Sequence, residues 1–179
     1  LAFLMARVFT GNTDIVALRN SYHGITPGAM AATGISAFRQ PTTMDPHYVF
    51  VENPDPFKGA FGPDVEKYLA NIDRVFDTAT SGRVAGMIIE PIQGFGGVLE
   101  MPEGYIAKAF EKTRQRGGLC IIDEVQTGFG RTGSGFWRFE KHGAKPDMVV
   151  IGKSIANGFP ISGVVVRREI AESIAHHKY

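Results

Sequence analysis

The sequence has little of several features that mark specialised classes of protein. It holds one cysteine, Cys120, within the apolar run Leu119-Cys-Ile-Ile122, so neither a disulfide framework nor a cysteine-based metal cluster can be built. Its five histidines are scattered, and two of them, His176 and His177, are expected in a solvated helix near the end. The pattern therefore predicts no metal site and a buried, unreactive thiol.

An excess of charge and a long apolar run are also lacking. Nineteen Lys and Arg oppose eighteen Asp and Glu, for a net charge of +1, so the chain lacks the basic field that binds nucleic acid. No apolar run approaches the roughly 18 residues of a membrane span, and no charged start with a short apolar core marks a secretory signal. Small molecules are the expected partners, with neither nucleic acid nor membrane among them.

What is present is the composition of a globular domain. Hydrophobic residues make up 44% of the chain and charged residues 21%, which is enough apolar mass for one core. The chain opens on Leu1 rather than Met, and its first residues already have a helical pattern. The expectation is one domain, or part of one, with the natural N-terminus further upstream.

Apolar patterning predicts alternating strands and helices. Helical spacing runs over Asp64 to Phe76 and over Tyr105 to Arg116, where Gly117-Gly118 ends the second helix. Short runs of branched residues between the helices predict buried strands at Ile15 to Leu18, Tyr48 to Val51, Val84 to Ile89, Leu119 to Ile122, Met148 to Ile151 and Gly163 to Val166. This order predicts an α/β fold with a mostly parallel sheet and helices on both faces.

Polar residues follow three of these strands, where open α/β sheets bind their ligands. Glu90 and Gln93 follow the third strand, Asp123 and Glu124 follow the fourth, and Lys153 follows the fifth. Because the carboxyl ends of parallel strands share one edge, two acids and a lysine are expected to converge there. This edge is the predicted functional site.

Lys153 has two interpretations. Burial at a strand end makes a charged lysine costly and favours the neutral amine, which is what a Schiff-base lysine requires. The alternative is an ammonium group that reaches solvent or pairs with Asp123 or Glu124, and for an isolated lysine this alternative is favoured.

Asp123 is the candidate partner of a cofactor's pyridine nitrogen, because a carboxylate there keeps the nitrogen protonated. A helix cap or a loop ion pair is the alternative, and Glu124 is expected to point to the other side of the strand. Glu90 and Gln93 are candidates to bind ring substituents or substrate, although a turn around Pro91 explains them almost as well.

Two glycine-containing segments complete the candidates. Tyr22-His23-Gly24 offers an aromatic face for stacking on a cofactor, with a core tyrosine as the alternative. Gly128-Phe-Gly130-Arg-Thr-Gly133 matches a dinucleotide-binding fingerprint in its letters, but the helix and the downstream acid of that motif do not follow it. We interpret it as a loop at the mouth of the site, with Arg131 and Trp137 as contacts for substrate or for an interface.

The combined motifs resemble the class III, or ornithine-type, aminotransferases, which adopt the type I fold of pyridoxal-phosphate enzymes. The resemblance extends over essentially the whole chain and is carried by Asp123-Glu-Val-Gln-Thr-Gly-Phe-Gly-Arg-Thr-Gly133, Pro146-Asp147, Gly152-Lys-Ser-Ile-Ala-Asn-Gly-Phe-Pro160, Ser21-Tyr-His-Gly24 and Glu90-Pro-Ile-Gln-Gly94. It implies an enzyme that uses pyridoxal 5'-phosphate to move an amino group from an amino acid to a 2-oxo acid.

The resemblance also implies roles for single residues. Lys153 would bind the cofactor as a Schiff base and then move a proton between substrate carbon and cofactor carbon. Asp123 would pair with the pyridine nitrogen, and Gln126 would contact the ring oxygen.

The remaining implied cofactor-binding residues surround the ring. Val125 would pack on one face of the ring and Tyr22 would cover the other. His23 belongs to the same cofactor site, and Glu90 would help to orient these groups.

Three segments are most similar to the alanine-glyoxylate aminotransferase 2 branch: Met5-Ala-Arg7, Asn53-Pro-Asp-Pro56 and Phe57-Lys-Gly-Ala-Phe-Gly62. That branch implies alanine and glyoxylate as substrates, a mitochondrial location (otherwise the cytoplasm) and a homodimer or homotetramer. Enzymes specific for 4-aminobutyrate, ornithine or acetylornithine are alternatives within the family. A nicotinamide-dependent oxidoreductase and a catalytically dead homologue are alternatives outside it.

The resemblance also bears on domain organisation. Residues 1–179 are expected to be the central part of the large cofactor-binding domain, with an N-terminal segment and a small C-terminal domain missing. The family's Gly-Ser phosphate-binding turn would precede Leu1.

Overall fold

A computed structural model describes residues 1–41 and 45–175. His176 and His177 lie outside the described residues. Within the described ranges, the helices are α1 (Ala2–Thr10), α2 (Pro27–Ala32), α3 (Val65–Ala79), α4 (Tyr105–Gln115) and α5 (Arg168–Ala175). The strands are β1 (Ile15–Leu18), β2 (Tyr48–Val51), β3 (Gly86–Ile89), β4 (Ile92–Gln93), β5 (Leu99–Glu100), β6 (Leu119–Asp123), β7 (Met148–Ile151) and β8 (Gly163–Val166).

Six of these strands form one sheet in the order β2-β1-β3-β6-β7-β8. Neighbours pair in parallel, except that β8 runs antiparallel to β7. Strands β4 and β5 form a separate antiparallel pair. The prediction of a mostly parallel sheet is therefore confirmed.

Alternation along the strands sends side chains to two apolar layers. Met87 and Ile89 face a core layer that α3 and α4 cover, whereas Ile88 and Ile121 face a second layer that α1 and α5 cover. Helices thus lie on both faces, as predicted, and the central strands are buried on both sides.

The predicted strand bounds agree with the structure except at two strands. The third strand was predicted from Val84, but the ladder begins at Gly86, although Val84 and Ala85 are buried and bonded to Arg116 and Asp14. The fourth strand extends one residue further, to Asp123.

Local chemistry explains the two long helices. Asp64 caps α3 by accepting a hydrogen bond from the backbone N–H of Lys67 at 3.2 Å. Helix α4 ends before Gly117, which has a φ of 78°. Ion pairs then join the two helices side by side: Lys108–Glu66, Lys112–Asp73 and Arg116–Asp77.

No helix in the described part of the chain combines the length and the apolar character needed to cross a membrane.

Candidate active site

The candidate site lies at the carboxyl ends of β1, β3, β6 and β7, which are neighbours in the sheet. Tyr22-His23 follows β1, Glu90 follows β3, Asp123 ends β6, and Lys153 follows β7. The four segments are up to about 130 residues apart in sequence, yet the strand order puts their ends side by side. The predicted convergence is therefore observed.

A cavity of about 100 Å³ brings together Lys153 and the other residues that the resemblance assigns to the cofactor site. It is lined by Tyr22, His23, Gly24, Glu90, Ile92, Asp123, Val125, Gln126 and Lys153. A larger open cavity of about 680 Å³ adjoins it and shares four of these residues. The shared residues are His23, Asp123, Val125 and Lys153.

Asp123 is held through both carboxylate oxygens. Its Oδ2 lies 2.8 Å from Nδ1 of His23, and its Oδ1 accepts a hydrogen bond from the backbone N–H of Val125 at 3.1 Å. A carboxylate only accepts, so Nδ1 of His23 carries the hydrogen and donates. Glu124 points to the opposite side, as predicted, where it accepts from Thr127 and from the backbone of Phe139.

His23 is itself fixed from behind. Its side chain is 1% exposed, and its backbone N–H donates to Thr33 Oγ1 at 3.1 Å. Thr33 in turn donates to the backbone of α2. The Nε2 atom of His23 is buried and has no hydrogen-bond partner among the described residues.

Glu90 braces the loops on either side of it. Its Oε1 accepts from the backbone N–H of Tyr22 at 2.9 Å, and its Oε2 accepts from the backbone N–H of Gly94 at 3.4 Å. Burial raises the pKa of this carboxyl to about 7, against the lowering effect of the charge on His23. Glu90 therefore changes charge near neutral pH.

Lys153 does not occupy the buried position that the Schiff-base interpretation expected, but reaches solvent as in the alternative interpretation. It is exposed, and its Nζ donates to Oε1 of Gln126 at 2.8 Å. The expectation of burial is wrong because β7 ends at Ile151 and the chain turns at once into a short 3-10 helix, Lys153–Ala156. This turn gives Lys153 a φ of 43°, which costs a non-glycine residue about 1–2 kcal/mol.

Tyr22 packs in an aromatic trio at the edge of the cavity. Its ring centroid lies 4.8 Å from that of Phe38 and 4.6 Å from that of Phe95, and the other two rings are 4.8 Å apart. These are favourable edge and tilted contacts. Tyr22 thus lines the cavity as predicted and is also held by aromatic packing.

Gln93 is placed differently from the prediction. It is fully buried and donates from Nε2 to the backbone carbonyl of Arg19 at 3.1 Å, so it braces a loop and does not line the cavity. Its neighbour Gly94 permits a close approach instead. A Cβ at Gly94 would lie 2.7 Å from Nε2 of Gln126.

The glycine-rich loop after β6 lies at the mouth of the site, as predicted. Arg131 donates from Nε to Ser154 Oγ at 2.7 Å, and both residues line an open cavity of about 490 Å³ with Lys153. Trp137 packs instead against the rings of Phe129, Phe136 and Phe139. A 3-10 helix, Arg138–His142, follows this loop, so the dinucleotide fingerprint lacks the α-helix that it requires.

Comparison with known proteins identifies the family. The family model described as "Aminotransferase class-III" matches residues 1–178 of this chain. This chain belongs to the class III aminotransferase family. It is similar to alanine-glyoxylate aminotransferase 2 homolog 2, mitochondrial, of Arabidopsis thaliana, with 44% identity over 100% of the chain and 37% of that protein. The human mitochondrial alanine-glyoxylate aminotransferase 2 is 38% identical over 98% of the chain and 38% of that protein.

A solved transaminase structure has the same fold as this chain. The amine transaminase from an uncultivated Pseudomonas species, in its PLP-bound form, matches with a TM-score of 0.87 and 28% identity over 97% of this chain and 42% of that chain. The fold prediction is therefore confirmed. The chain spans less than two fifths of the length of the two curated relatives.

Two features of the site could not be predicted from the sequence. The hydrogen bond between His23 and Asp123 joins residues that are 100 positions apart in the sequence. No local sequence pattern predicts such a contact. Thr33, which holds the His23 backbone, sits at the end of α2. Only the order of the strands brings these residues together.

Proposed function

We propose that the full-length protein is a pyridoxal-phosphate-dependent aminotransferase and that Lys153 is the residue to which the cofactor binds covalently. One observation carries this proposal. The amine, a doubly held carboxylate and an aromatic side chain come from the ends of three strands of one sheet and line the same cavity. Membership of the class III family and the PLP-bound form of the solved relative support the choice of cofactor.

The side chains present fit this cofactor. Asp123 would hold the ring nitrogen in its protonated form, because His23 and the Val125 amide keep its carboxylate oriented. When bound, the cofactor supplies a pyridinium ring that withdraws electrons from the substrate carbon. Val125 and Tyr22 would pack on its faces, and Gln126 would bind its ring oxygen.

Lys153 would perform the proton transfer. With the cofactor bound, the Nζ amine of Lys153 would accept a proton from the substrate carbon and later donate it. Gln126, whose Oε1 lies 2.8 Å from Nζ, orients the amine. Lys153 is therefore both the anchor and the acid-base group.

Glu90 would act through the backbone. By accepting from the amides of Tyr22 and Gly94, it fixes the aromatic side chain and the loop that packs on Gln126. Its pKa of about 7 makes that bracing sensitive to pH in the neutral range.

The substrates that the relatives support best are alanine as amino donor and glyoxylate as acceptor. The same relatives support a mitochondrial location. Residues 1–179 would then form the central part of the large cofactor-binding domain, within a homodimer or homotetramer. An assay of alanine, ornithine, acetylornithine and 4-aminobutyrate against glyoxylate, pyruvate and 2-oxoglutarate would test this choice, and a preference for a non-alanine donor would contradict it.

The decisive experiment is borohydride reduction of the full-length protein with pyridoxal phosphate, followed by mass spectrometry of its peptides. We expect one modified lysine, Lys153. The variant K153R should lose the modification, and the control K58R, at an exposed loop lysine, should keep it. Modification of another lysine, or none in the wild type, would refute the proposal.

A further inference from the structure

The loop after β6 touches three consecutive residues around the candidate lysine. Val125 packs against Gly152, since a Cβ at Gly152 would lie 3.2 Å from Val125 Cγ1. The next contact is the hydrogen bond of 2.8 Å between Lys153 Nζ and Gln126. The third is Arg131 Nε donating to Ser154 Oγ at 2.7 Å.

These contacts hold a turn that is unfavourable by itself. Lys153 has a φ of 43°, in the left-handed region that side chains with a Cβ rarely adopt. The turn has little other support. Ile155 donates to Gly152 over 3.3 Å and Ala156 is buried, but the residues after Ala156 are exposed, including Phe159 at 76% exposure. A conformation of this kind persists only when its surroundings impose it.

Arg131 is suited to this task by its chemistry. Its guanidinium group is planar and permanently charged, so a hydrogen bond from Nε to a hydroxyl fixes the direction of Ser154 as well as its distance. Ser154 is adjacent to Lys153, and a rotation there would redirect the lysine backbone. The contact between Arg131 and Ser154 differs from the other two. It does not involve the lysine side chain, and neither of its residues lines the 100 Å³ cavity.

We infer that Arg131 is a positioning residue, which holds Lys153 in its left-handed turn through Ser154 and so aims the amine at the cofactor. This inference rests on the proposed function. Attachment forms a bond between Nζ and the aldehyde carbon of the cofactor and releases the aldehyde oxygen as water. A lysine that is free to leave the turn meets that carbon less often, so attachment becomes slower.

The test is a double-mutant cycle in the full-length protein, with R131M, S154A and the combined variant. Apoprotein is mixed with pyridoxal phosphate, and the rate of borohydride-trapped label on Lys153 is measured. Each single variant should attach the cofactor about 3- to 10-fold more slowly, the effect of one hydrogen bond. The double variant should be no slower than the slower single variant, because both remove the same contact.

Two further variants separate the outcomes. R131K keeps a charged donor and should recover part of the rate, whereas the control R74M, at an exposed arginine of α3, should attach at the wild-type rate. If R131M does not fold, as judged by circular dichroism, R131K and S154A complete the cycle.

Two results would overturn the inference: single variants with wild-type rates, or rate losses that multiply in the double variant. Failure of the proposed function looks different, because the wild type itself would then show no label on Lys153.

Discussion

His23 Nδ1 lies 2.8 Å from Asp123 Oδ2, and both side chains are buried at the ends of strands that are separated by β3. The contact leaves Asp123 one orientation, since Val125 holds its other oxygen. Under the proposed function, His23 would therefore set how the carboxylate meets a bound pyridine ring, although the sequence identified it only as a member of the cofactor site.

Replacing His23 tests this relationship. H23A removes the donor and leaves a buried carboxylate oxygen without a partner, so the affinity of the full-length protein for pyridoxal phosphate should fall about 10-fold. H23N places an amide N–H near the position of Nδ1 and should retain most of the affinity. Fluorescence titration of the apoprotein measures both constants. Equal affinities for H23A and the wild type, or equal losses in both variants, would contradict the role.

Glu90 provides a prediction for pH dependence. The folded carboxyl keeps its proton up to a pKa of about 7, whereas the ordinary value is 4.5. The folded state thus binds more protons between these values, so the free energy of unfolding falls as pH rises through this window, by about 3 kcal/mol in total, and levels off above it.

The variant E90Q has no carboxyl to titrate, so it should not lose stability as Glu90 does. The free energy of unfolding of E90Q relative to that of the wild type should therefore rise as pH increases from 4.5 to above about 7. Denaturant unfolding of both proteins across that range measures the difference. The control is E111Q, at an exposed carboxylate on α4. A constant difference between E90Q and the wild type at all pH values would contradict the raised pKa.

Gly94 offers a purely steric test. A Cβ there would lie 2.7 Å from Nε2 and 2.8 Å from Oε1 of Gln126, so in G94A the flexible end of Gln126 must move and its hydrogen bond to Lys153 is lost. We expect a folded protein that attaches the cofactor to Lys153 about 3- to 10-fold more slowly. In the control G28A, the new Cβ would lie an ordinary 3.5 Å from the Tyr48 hydroxyl. A crystal structure of G94A with Gln126 unmoved would contradict this account.

The parts of the site that sequence could predict are those fixed by the end of a strand. Asp123 and Lys153 come directly after buried branched runs, and the edge rule for parallel sheets then puts them close together. Their exact surroundings depend on distant segments. The ring of Tyr22 packs on Phe38 and Phe95, which no periodicity connects to it.

For a related reason, the sequence could not decide between the buried and the solvent-exposed interpretation of Lys153. An apolar run indicates that its strand is buried, but it says nothing about the conformation of the next residue. Here a left-handed turn immediately after Gly152 lifts the lysine out of the sheet. Helix caps are easier to predict from the sequence, because the capping residue lies next to the helix that it begins. The cap of α3 is an example.

The predicted helical pattern begins at Asp64, and the side chain of this residue accepts from the backbone N–H of Lys67 at 3.2 Å. D64A should lower the free energy of unfolding, because that amide then loses its acceptor. D64N keeps an acceptor and should retain most of the stability. K67A removes only the exposed ion pair with Asp64 and should cost less than D64A. Denaturant unfolding of the three variants separates the cap from the ion pair, and an equal loss in K67A and D64A would assign the stabilisation to the charges instead.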